Sequence, residues 1–339
     1  MTSSPASPPQ PRTTAASGAE VLTADTPPDD TQADERQALQ GSALVLLAGV
    51  AYGGVTVLAK IAYDHGSNAP SSLVFRYGAA ALLFWLYLLL TGNAQRLPRR
   101  KAGGFVLMGL LFSGGSLLSF MAVERIGAGL AALLLYLYPA IVTAAAALFL
   151  ALRITRSRVL ILLASLLGCV LTVDVQGGSV DLLGLALATG TAFTYSAYVV
   201  IGSRVAVGVS PLIASAWIIS SGGLLMLVVG VTGAFGDRLT TQIDATGWLA
   251  ILALALVSTV VANSAFLAGM ARLDPFRAAV LSTIEPVVSV LLAALLLSER
   301  LSAQQALGGA LIVGSAVALQ LVGRSTRSGT PRVRRTRSM

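Results

Sequence analysis

Long apolar segments separated by short polar ones dominate this chain and constrain its fold more than any other feature. A helix needs about 20 apolar residues to cross the hydrocarbon core of a bilayer. Charged residues make up only 11% of the chain, whereas soluble domains carry about 25%. The sequence therefore predicts an all-α integral membrane protein with ten transmembrane helices, at residues 42–63, 71–91, 103–122, 127–150, 157–175, 182–203, 211–233, 247–270, 276–297 and 304–323.

Basic residues in the connections predict how these helices are oriented. With ten spans, the arginine-rich connections all fall on one side of the membrane, after the second, fourth, sixth and eighth spans. Such connections are retained in the cytoplasm. We therefore expect a bacterial-type inner (plasma) membrane protein with both termini in the cytoplasm. One span more or fewer would break this pattern.

The two ends of the chain differ from the apolar region between them. Residues 1–41 are rich in Ser, Thr, Ala, Pro and Asp and contain no apolar run, which predicts a disordered cytoplasmic tail. Residues 324–339 form a second tail with six arginines. Nucleic-acid binding is one conceivable role for a basic tail, but its position beside a membrane span favours contact with anionic lipid.

The two halves of the apolar region, 42–175 and 182–323, resemble each other. Aligning Pro139 with Pro286 without a gap brings further matching residues onto one another, among them an arginine in each half. Each half has five spans, and because five is odd the second half must enter the membrane upside down relative to the first. Inverted repeats recur in secondary transporters, with the substrate site near the membrane midplane between the halves.

Glu285 and Pro286 lie near the centre of the ninth apolar segment. A carboxylate in hydrocarbon is costly, so such residues usually face a protein interior or a hydrated cavity and mark a transport route. A proline removes one backbone donor and loosens a helix, so Pro139 and Pro286 are candidate hinges. Ser282 shares a helix face with Glu285. We predict that both bind substrate or ion; a structural ion pair, or a protonated glutamic acid bonded to a neighbouring helix, is the alternative for Glu285.

Other polar residues in the apolar segments are few. Arg76, near the external end of the second span, could bind a carboxylate, pair with Glu285, or extend to the lipid headgroups. Tyr138 occupies the repeat position of Glu285 and, with Tyr136, could line an aromatic cavity, bond a substrate or fill the core. Four residues are weaker cavity candidates: Tyr52, Tyr195, Tyr198 and Trp217.

Ser116 and Asn263 occupy equivalent positions in the two halves and could bind substrate or bond neighbouring helices together. One cysteine, Cys169, and one histidine, His65, cannot build a metal cluster, so we predict no metal and no cofactor. His65 is expected to be a surface imidazole without a role. No catalytic constellation and no phosphate-binding loop occurs, so we expect neither enzyme activity nor ATP hydrolysis.

The ten spans, the five-plus-five halves and the mid-helix proline in the fourth span of each half resemble the EamA-type transporters of the drug/metabolite transporter (DMT) superfamily. The second half also carries the family's span-ending motif, LSERLS at 297–302, whereas the first half has Leu152 in place of its glutamate. The resemblance covers about residues 42–323. It implies transport of small molecules, often export of amino acids or other metabolites, and does not fix a substrate.

The sequence thus predicts a secondary transporter of small polar or amphipathic metabolites, with amino acids and export favoured. Two inverted copies of one unit provide a route to alternating access, and coupling to a proton or another ion is the expected source of energy. Two alternatives remain open. A multidrug exporter of lipophilic cations would use an anionic, aromatic cavity, and a membrane scaffold or sensor would use the two tails to bind partners.

Overall fold

The computed structural model describes residues 29–93, 97–150, 154–172, 181–234, 238–296 and 302–325. Within these ranges every regular element is a helix. A π-helical segment, Leu256–Val261, lies between α9 and α10. The α-helices in chain order are α1 (Asp29–Gly53), α2 (Val55–Asp64), α3 (Ala69–Leu90), α4 (Arg99–Leu135), α5 (Tyr138–Leu150), α6 (Arg156–Thr172), α7 (Leu182–Val205), α8 (Pro211–Thr232), α9 (Ala245–Ala255), α10 (Ala262–Met270), α11 (Pro275–Ser282), α12 (Ile284–Leu296) and α13 (Ala303–Ser325).

Seven helical stretches among the described residues are long and apolar enough to cross a membrane. Two shorter helices, Tyr138–Leu150 and Ala303–Leu319, are also apolar. The prediction of an all-α protein is confirmed, and helix is present in each of the ten predicted segments. The long stretches are Glu35–Asp64, Ala69–Leu90, Arg99–Val123, Leu182–Val205, Pro211–Thr232, Ala245–Met270 and Pro275–Leu296.

The N-terminal boundary differs from the sequence prediction. α1 begins at Asp29, so residues 29–41, predicted to be disordered, are helical. This segment contains good helix formers such as Gln, Ala, Glu and Arg, and its first two residues are aspartates, which the helix dipole favours. It also extends a helix that is already nucleated by the apolar segment, so each added residue costs little. The rest of the predicted tails, residues 1–28 and 326–339, lies outside the described residues.

The connection between the third and fourth predicted spans is also helical, because α4 continues through residues 122–127. The chain nevertheless reverses its direction there. Three contacts with α7 require this reversal: Phe112 with Tyr198, Ile126 with Gly184, and Tyr138 with Tyr195. From Phe112 to Ile126 the chain runs antiparallel to α7, and from Ile126 to Tyr138 it runs parallel to α7. The helix α4 therefore bends sharply near Ile126 instead of ending in a loop there.

Two breaks interrupt the helices beside the candidate hinge prolines. One separates α4 from α5 before Pro139, and the other, at Thr283, separates α11 from α12 before Pro286. Each proline lies in the first turn of the following helix, where its missing N–H and fixed backbone angle are tolerated. The breaks therefore occur at equivalent positions of the two halves. Whether they bend during function stays a prediction.

Glycines allow the helices to approach closely. Gly53 of α1 faces α12, and a Cβ atom added there would lie 2.6 Å from Val288 Cβ and 2.9 Å from the backbone oxygen of Glu285. Near the middle of α1, a Cβ on Gly269 of α10 would lie 2.8 Å from the backbone oxygen of Gly41. Small residues have this role generally in membrane helix packing. Gly53 therefore sets the approach of α1 to the helix that carries Glu285, and Gly269 sets its approach to α10.

We predict that Gly53→Ala destabilises the protein by about 1–3 kcal/mol, because the added methyl group has no space against Val288 and the α12 backbone. The measurement is reversible unfolding in detergent micelles. Gly114→Ala in α4 is the matched control, since no atom lies within 4 Å of the position that its Cβ would occupy. Equal stability of the two variants would contradict the close approach of α1 and α12.

The turn between α2 and α3 is bonded to the loop that precedes α9. Asp244 caps α9 by accepting a hydrogen bond from the Gly247 N–H at 2.9 Å, and its other oxygen lies 2.7 Å from Nδ1 of His65. His65, for which the sequence predicted no role, thus joins two connections. The hydrogen bond from the Gly247 N–H is the main cause that holds the pKa of the Asp244 carboxyl below its usual range, and the contact with the His65 ring is the second cause.

We predict that Asp244→Asn lowers the melting temperature at pH 7, because the ionised carboxylate is the form that the cap and His65 bind. A carboxylate with a depressed pKa stabilises the fold above its ordinary pKa of about 3.9, and that contribution disappears as the pH falls through the folded-state value. The difference between wild type and variant should therefore shrink below about pH 4. A pH-independent difference in melting temperature would show that the charge of Asp244 is not involved.

Candidate functional site

Glu285 lies in the first turn of α12, directly after the break at Thr283, and is half-buried. Among the described residues none donates a hydrogen bond to its carboxylate. Neither carboxylate oxygen is completely covered by other atoms of the protein, so the carboxylate is not fully enclosed. Its charge is close enough to act on several side chains around it, which are Arg76, Tyr52, Tyr136, Tyr138, Tyr195 and Cys169.

Arg76 is buried in α3, with 7% of its surface exposed, so its side chain does not extend to the headgroups. Its Nε donates to Thr259 Oγ1 at 2.6 Å, and Nη2 donates to the backbone oxygen of Ser258 at 2.8 Å. The guanidinium also lies 5.7 Å from the ring centre of Tyr77. No carboxylate of a described residue lies within ion-pair distance of it, so the direct pair with Glu285 is not formed in this structure.

The π-helical segment explains why Arg76 finds acceptors at this depth. A π-helix widens the backbone turn and disturbs the regular bonding of a helix. The hydroxyl of Thr259 bonds to the Leu254 oxygen at 2.9 Å, and that of Ser258 bonds to the Ala51 oxygen of α1 at 2.8 Å. The sequence prediction missed this segment, and its one visible signal is the adjacent Ser–Thr pair in an apolar run.

Asn263 is fully buried in α10 and joins four helices. Its Oδ1 accepts hydrogen bonds from the hydroxyls of Tyr198 at 2.9 Å and Tyr52 at 3.4 Å, and its Nδ2 donates to Ser215 Oγ at 3.0 Å. Its repeat equivalent, Ser116, donates to the Phe112 oxygen of its own helix. The bonds of Asn263 are those expected of a residue that holds helices together.

Tyr138 completes the backbone at the break before Glu285. In a continuous helix, the N–H of Thr283 would bond to the oxygen of Ala279, but here it bonds to that of Val280. The hydroxyl of Tyr138 donates to the Ala279 oxygen instead, at 3.0 Å. Ser282 donates to the Ala278 oxygen within α11. Tyr138 of the first half therefore stabilises the interruption in the second half.

A continuous row of rings, the aromatic cluster, extends from Arg76 towards Glu285. Tyr77, beside Arg76, contacts Phe112, and Tyr138, near Glu285, contacts Tyr195. The sequence predicted only part of it, since Tyr77 and Phe112 were not candidates. The spacing of Tyr195 and Tyr198, on one face of α7, was the available signal. The members in order are Tyr77, Phe112, Tyr198, Tyr195 and Tyr138, with successive centroid distances of 6.3, 5.4, 5.8 and 4.8 Å.

A separate crevice of about 540 Å³ lies between α3, α8 and α9. Its lining is almost entirely apolar, and Leu224 and Leu252 at its rim are exposed. It contains none of the predicted site residues. Among the described residues, no group of three or more His, Cys, Asp or Glu side chains could hold a metal ion.

The comparison with protein families decides what kind of molecule this is. The model of the EamA-like transporter family matches residues 39–174 and 182–320, once in each half of the chain. The chain belongs to the EamA-like transporter family. This EamA protein is therefore a multi-pass membrane protein of a transporter family, and the resemblance to the DMT superfamily is confirmed.

Known relatives agree with this assignment. The EamA protein is similar to the "Uncharacterized transporter YcbK" of Bacillus subtilis (strain 168), with 24% identity over 285 residues that cover 82% of this chain and 91% of the relative. It also resembles a solved crystal structure with 22% identity and a TM-score of 0.73, over 86% of this chain and 99% of the other. At this identity, the second likeness supports the fold alone.

We predict that Asn263→Leu destabilises the EamA protein, because it leaves the buried hydroxyls of Tyr198, Tyr52 and Ser215 without their shared partner. Each unsatisfied buried group costs about 1–3 kcal/mol. Unfolding in detergent measures this loss, with Ser315→Ala as the control, since that hydroxyl bonds only to its own helix. Adding Tyr198→Phe to Asn263→Leu should recover part of the loss; no recovery would contradict the shared bond.

Proposed function

We propose that this EamA protein is a secondary transporter that exports small metabolites, with amino acids as the favoured substrates. The observation that carries the proposal is Glu285, a carboxylate at a helix break in an apolar bundle. Among the described residues it has no hydrogen-bonding partner, and its oxygens are not fully enclosed. A carboxylate that served only the fold would be paired or hydrogen-bonded in such a place. Its incomplete enclosure suits a group that binds and releases a ligand.

We further propose ten crossings in two inverted halves. The family model matches twice, in adjacent segments of similar length. Helix contacts also occur as matching pairs: α1 packs on α10 as α7 packs on α4, and α3 packs on α9 as α8 packs on α4. Suppose that the first three spans of each half are exchanged with the first three spans of the other half. Each of these helix contacts then becomes the other contact of its pair. With five spans in each half, this exchange requires opposite orientations, as the basic connections also indicate.

Alternating access is the proposed mechanism, and the contacts of Gly202 support it. A Cβ on this glycine of α7 would lie 2.5 Å from the methyl carbon of Met270 in α10 and 2.7 Å from that of Met108 in α4. The end of the bundle that contains Gly202 and Met270 is assigned to the cytoplasm, because the basic Arg272 follows α10. The present state is then closed towards the cytoplasm, and opening it requires α7 to separate from α10. Pro139 and Pro286, beside the breaks, are the proposed hinges.

Coupling follows from the cost of a bare charge in hydrocarbon. An ionised Glu285 resists enclosure unless a proton or a cationic group of the substrate neutralises it. Protons that enter through Glu285 can therefore be exchanged for metabolite that leaves. We propose this exchange in the inner membrane with both termini in the cytoplasm, without enzyme activity, cofactor or nucleic-acid partner.

Export of lipophilic cations is a second candidate function. The aromatic cluster next to Glu285 favours it, because ring faces attract cations and a carboxylate would neutralise them. The scaffold or sensor alternative gains no support from the family match.

We predict that Glu285→Gln abolishes proton-driven transport while the folded protein is retained. The measurement is flux of amino acids and cationic dyes into liposomes that contain purified protein, with and without an imposed proton gradient. Glutamine keeps the shape of the side chain but cannot ionise. Glu35→Gln, on the exposed start of α1, is the matched control and should behave as wild type. Gradient-driven flux of wild-type size in Glu285→Gln would overturn the role of this residue.

A further inference from the structure

We infer that Arg76 is the anchor for an acidic group, so that the transported metabolite carries a carboxylate at Arg76 and an amino group towards Glu285. The inference rests on the proposed function and narrows its substrate class to small zwitterions. Four observations carry it: the burial of Arg76, the position of the aromatic cluster and, among the described residues, the lack of an ion-pair partner for Arg76 and of acceptors for several of its N–H groups.

Arg76 is a buried cation whose hydrogen-bond acceptors are neutral. Only 7% of its surface is exposed, and its two acceptors are the hydroxyl of Thr259 and the backbone oxygen of Ser258. Burying a charge is costly unless an opposite charge accompanies it. Glu285 is near enough to act on Arg76 electrostatically, but it lies beyond the 4.0 Å limit of an ion pair. Among the described residues, Arg76 therefore has no ion-pair partner, and an anion placed beside it would be favoured.

The guanidinium has N–H groups that no hydrogen bond among the described residues uses. It has five N–H groups, of which the bonds to Thr259 and Ser258 use two. Both N–H groups of Nη1 are among those that remain. The Nη1 atom is not completely covered by other atoms of the protein. Planar N–H pairs of arginine match the two oxygens of a carboxylate. The unused donors of Arg76 therefore fit a carboxylate.

The remaining contacts hold the guanidinium in place before a ligand arrives. Thr259 and Ser258 belong to the π-helical segment and are themselves bonded to Leu254 and Ala51. The ring of Tyr77 lies on another side of the cation. A group fixed in advance loses little freedom on binding, so more of the interaction contributes to affinity.

The aromatic cluster and Glu285 complete the match to a zwitterion. The cluster connects the surroundings of Arg76 to those of Glu285, and its ring faces attract an ammonium group or an apolar side chain. A cation without an acidic group would leave Arg76 uncompensated and would also be repelled by it. The geometry therefore favours a small zwitterion over a lipophilic cation.

The experiment compares amino acids with their amides, which keep the ammonium group and lose the carboxylate. Purified protein in liposomes is tested for uptake of each natural amino acid, of the corresponding amide, and of tetraphenylphosphonium as a lipophilic cation. We expect at least one amino acid to be transported and its amide to be transported at least about tenfold less efficiently, which corresponds to one charge-assisted hydrogen bond or more. Arg76→Gln should remove this preference, and Arg76→Lys, which retains the charge without the planar donors, should retain part of it.

The controls separate binding from stability. Arg238→Gln makes the same chemical change at an exposed arginine and should leave the preference intact. Thr259→Val keeps Arg76 but removes one of its supports, so the preference should weaken rather than disappear; this variant provides the test if Arg76→Gln does not fold. An acid-to-amide ratio unchanged in Arg76→Gln, together with a lower melting temperature, would assign Arg76 a structural role and overturn the inference.

The failures of this inference and of the proposed function can be told apart. A protein that transports amides as well as acids, or transports only tetraphenylphosphonium, overturns the zwitterion assignment and leaves the transporter standing. A protein that transports no compound of the panel overturns both.

Discussion

Within a bilayer no water is available to bond exposed backbone groups, so every departure from a regular helix must be bonded by the protein itself. This constraint organises the interior of the EamA protein. Departures from regularity in its described helices include the breaks at Gly54 and beside Pro139 and Pro286, and one π-helical segment. Side chains of other helices bond to the freed groups: the hydroxyl of Tyr138 to Ala279, and the guanidinium of Arg76 to Ser258.

The irregular places are also where the unusual chemistry lies. Glu285 follows one break, Tyr138 follows the other, and Arg76 is bonded to the π-helical segment. An irregular backbone leaves carbonyl oxygens available at a depth where a continuous helix would present none. The same residues that repair the backbone therefore bring opposite charges and aromatic rings into one region, from which a site for a polar ligand can be built.

Much of the architecture was predictable because its causes are local. Segment length and hydropathy gave the helices, and Pro139 and Pro286 marked the breaks, since proline removes a donor wherever it stands. The prediction that Glu285 binds substrate or ion rests on the cost of a charge in hydrocarbon. By contrast, the sequence placed the start of α1 too late, because the composition of residues 29–41 does not reveal the helix already nucleated next to them.

The contacts between distant residues were not predictable in the same way. Nothing in the spacing of Arg76 or Thr259 indicates that they meet, because the π-helical segment that brings them together depends on packing. Ser116 and Asn263 are equivalent by alignment, yet the hydroxyl of Ser116 donates to a backbone oxygen of its own helix, whereas the side chain of Asn263 bonds to side chains of three other helices. The residue type at a matched position was therefore a poor guide to its partners.

The bond from Tyr138 to Ala279 makes the two halves of the chain depend on each other. Tyr138 and Glu285 stand at equivalent places, but the tyrosine of the first half caps the carbonyl of the second. A homodimer of the first half would contain two phenols and lack the acidic group altogether. A homodimer of the second would bring two glutamates together and leave two carbonyl oxygens uncapped. Neither half alone therefore contains both the acidic group and the phenol that caps the carbonyl beside it.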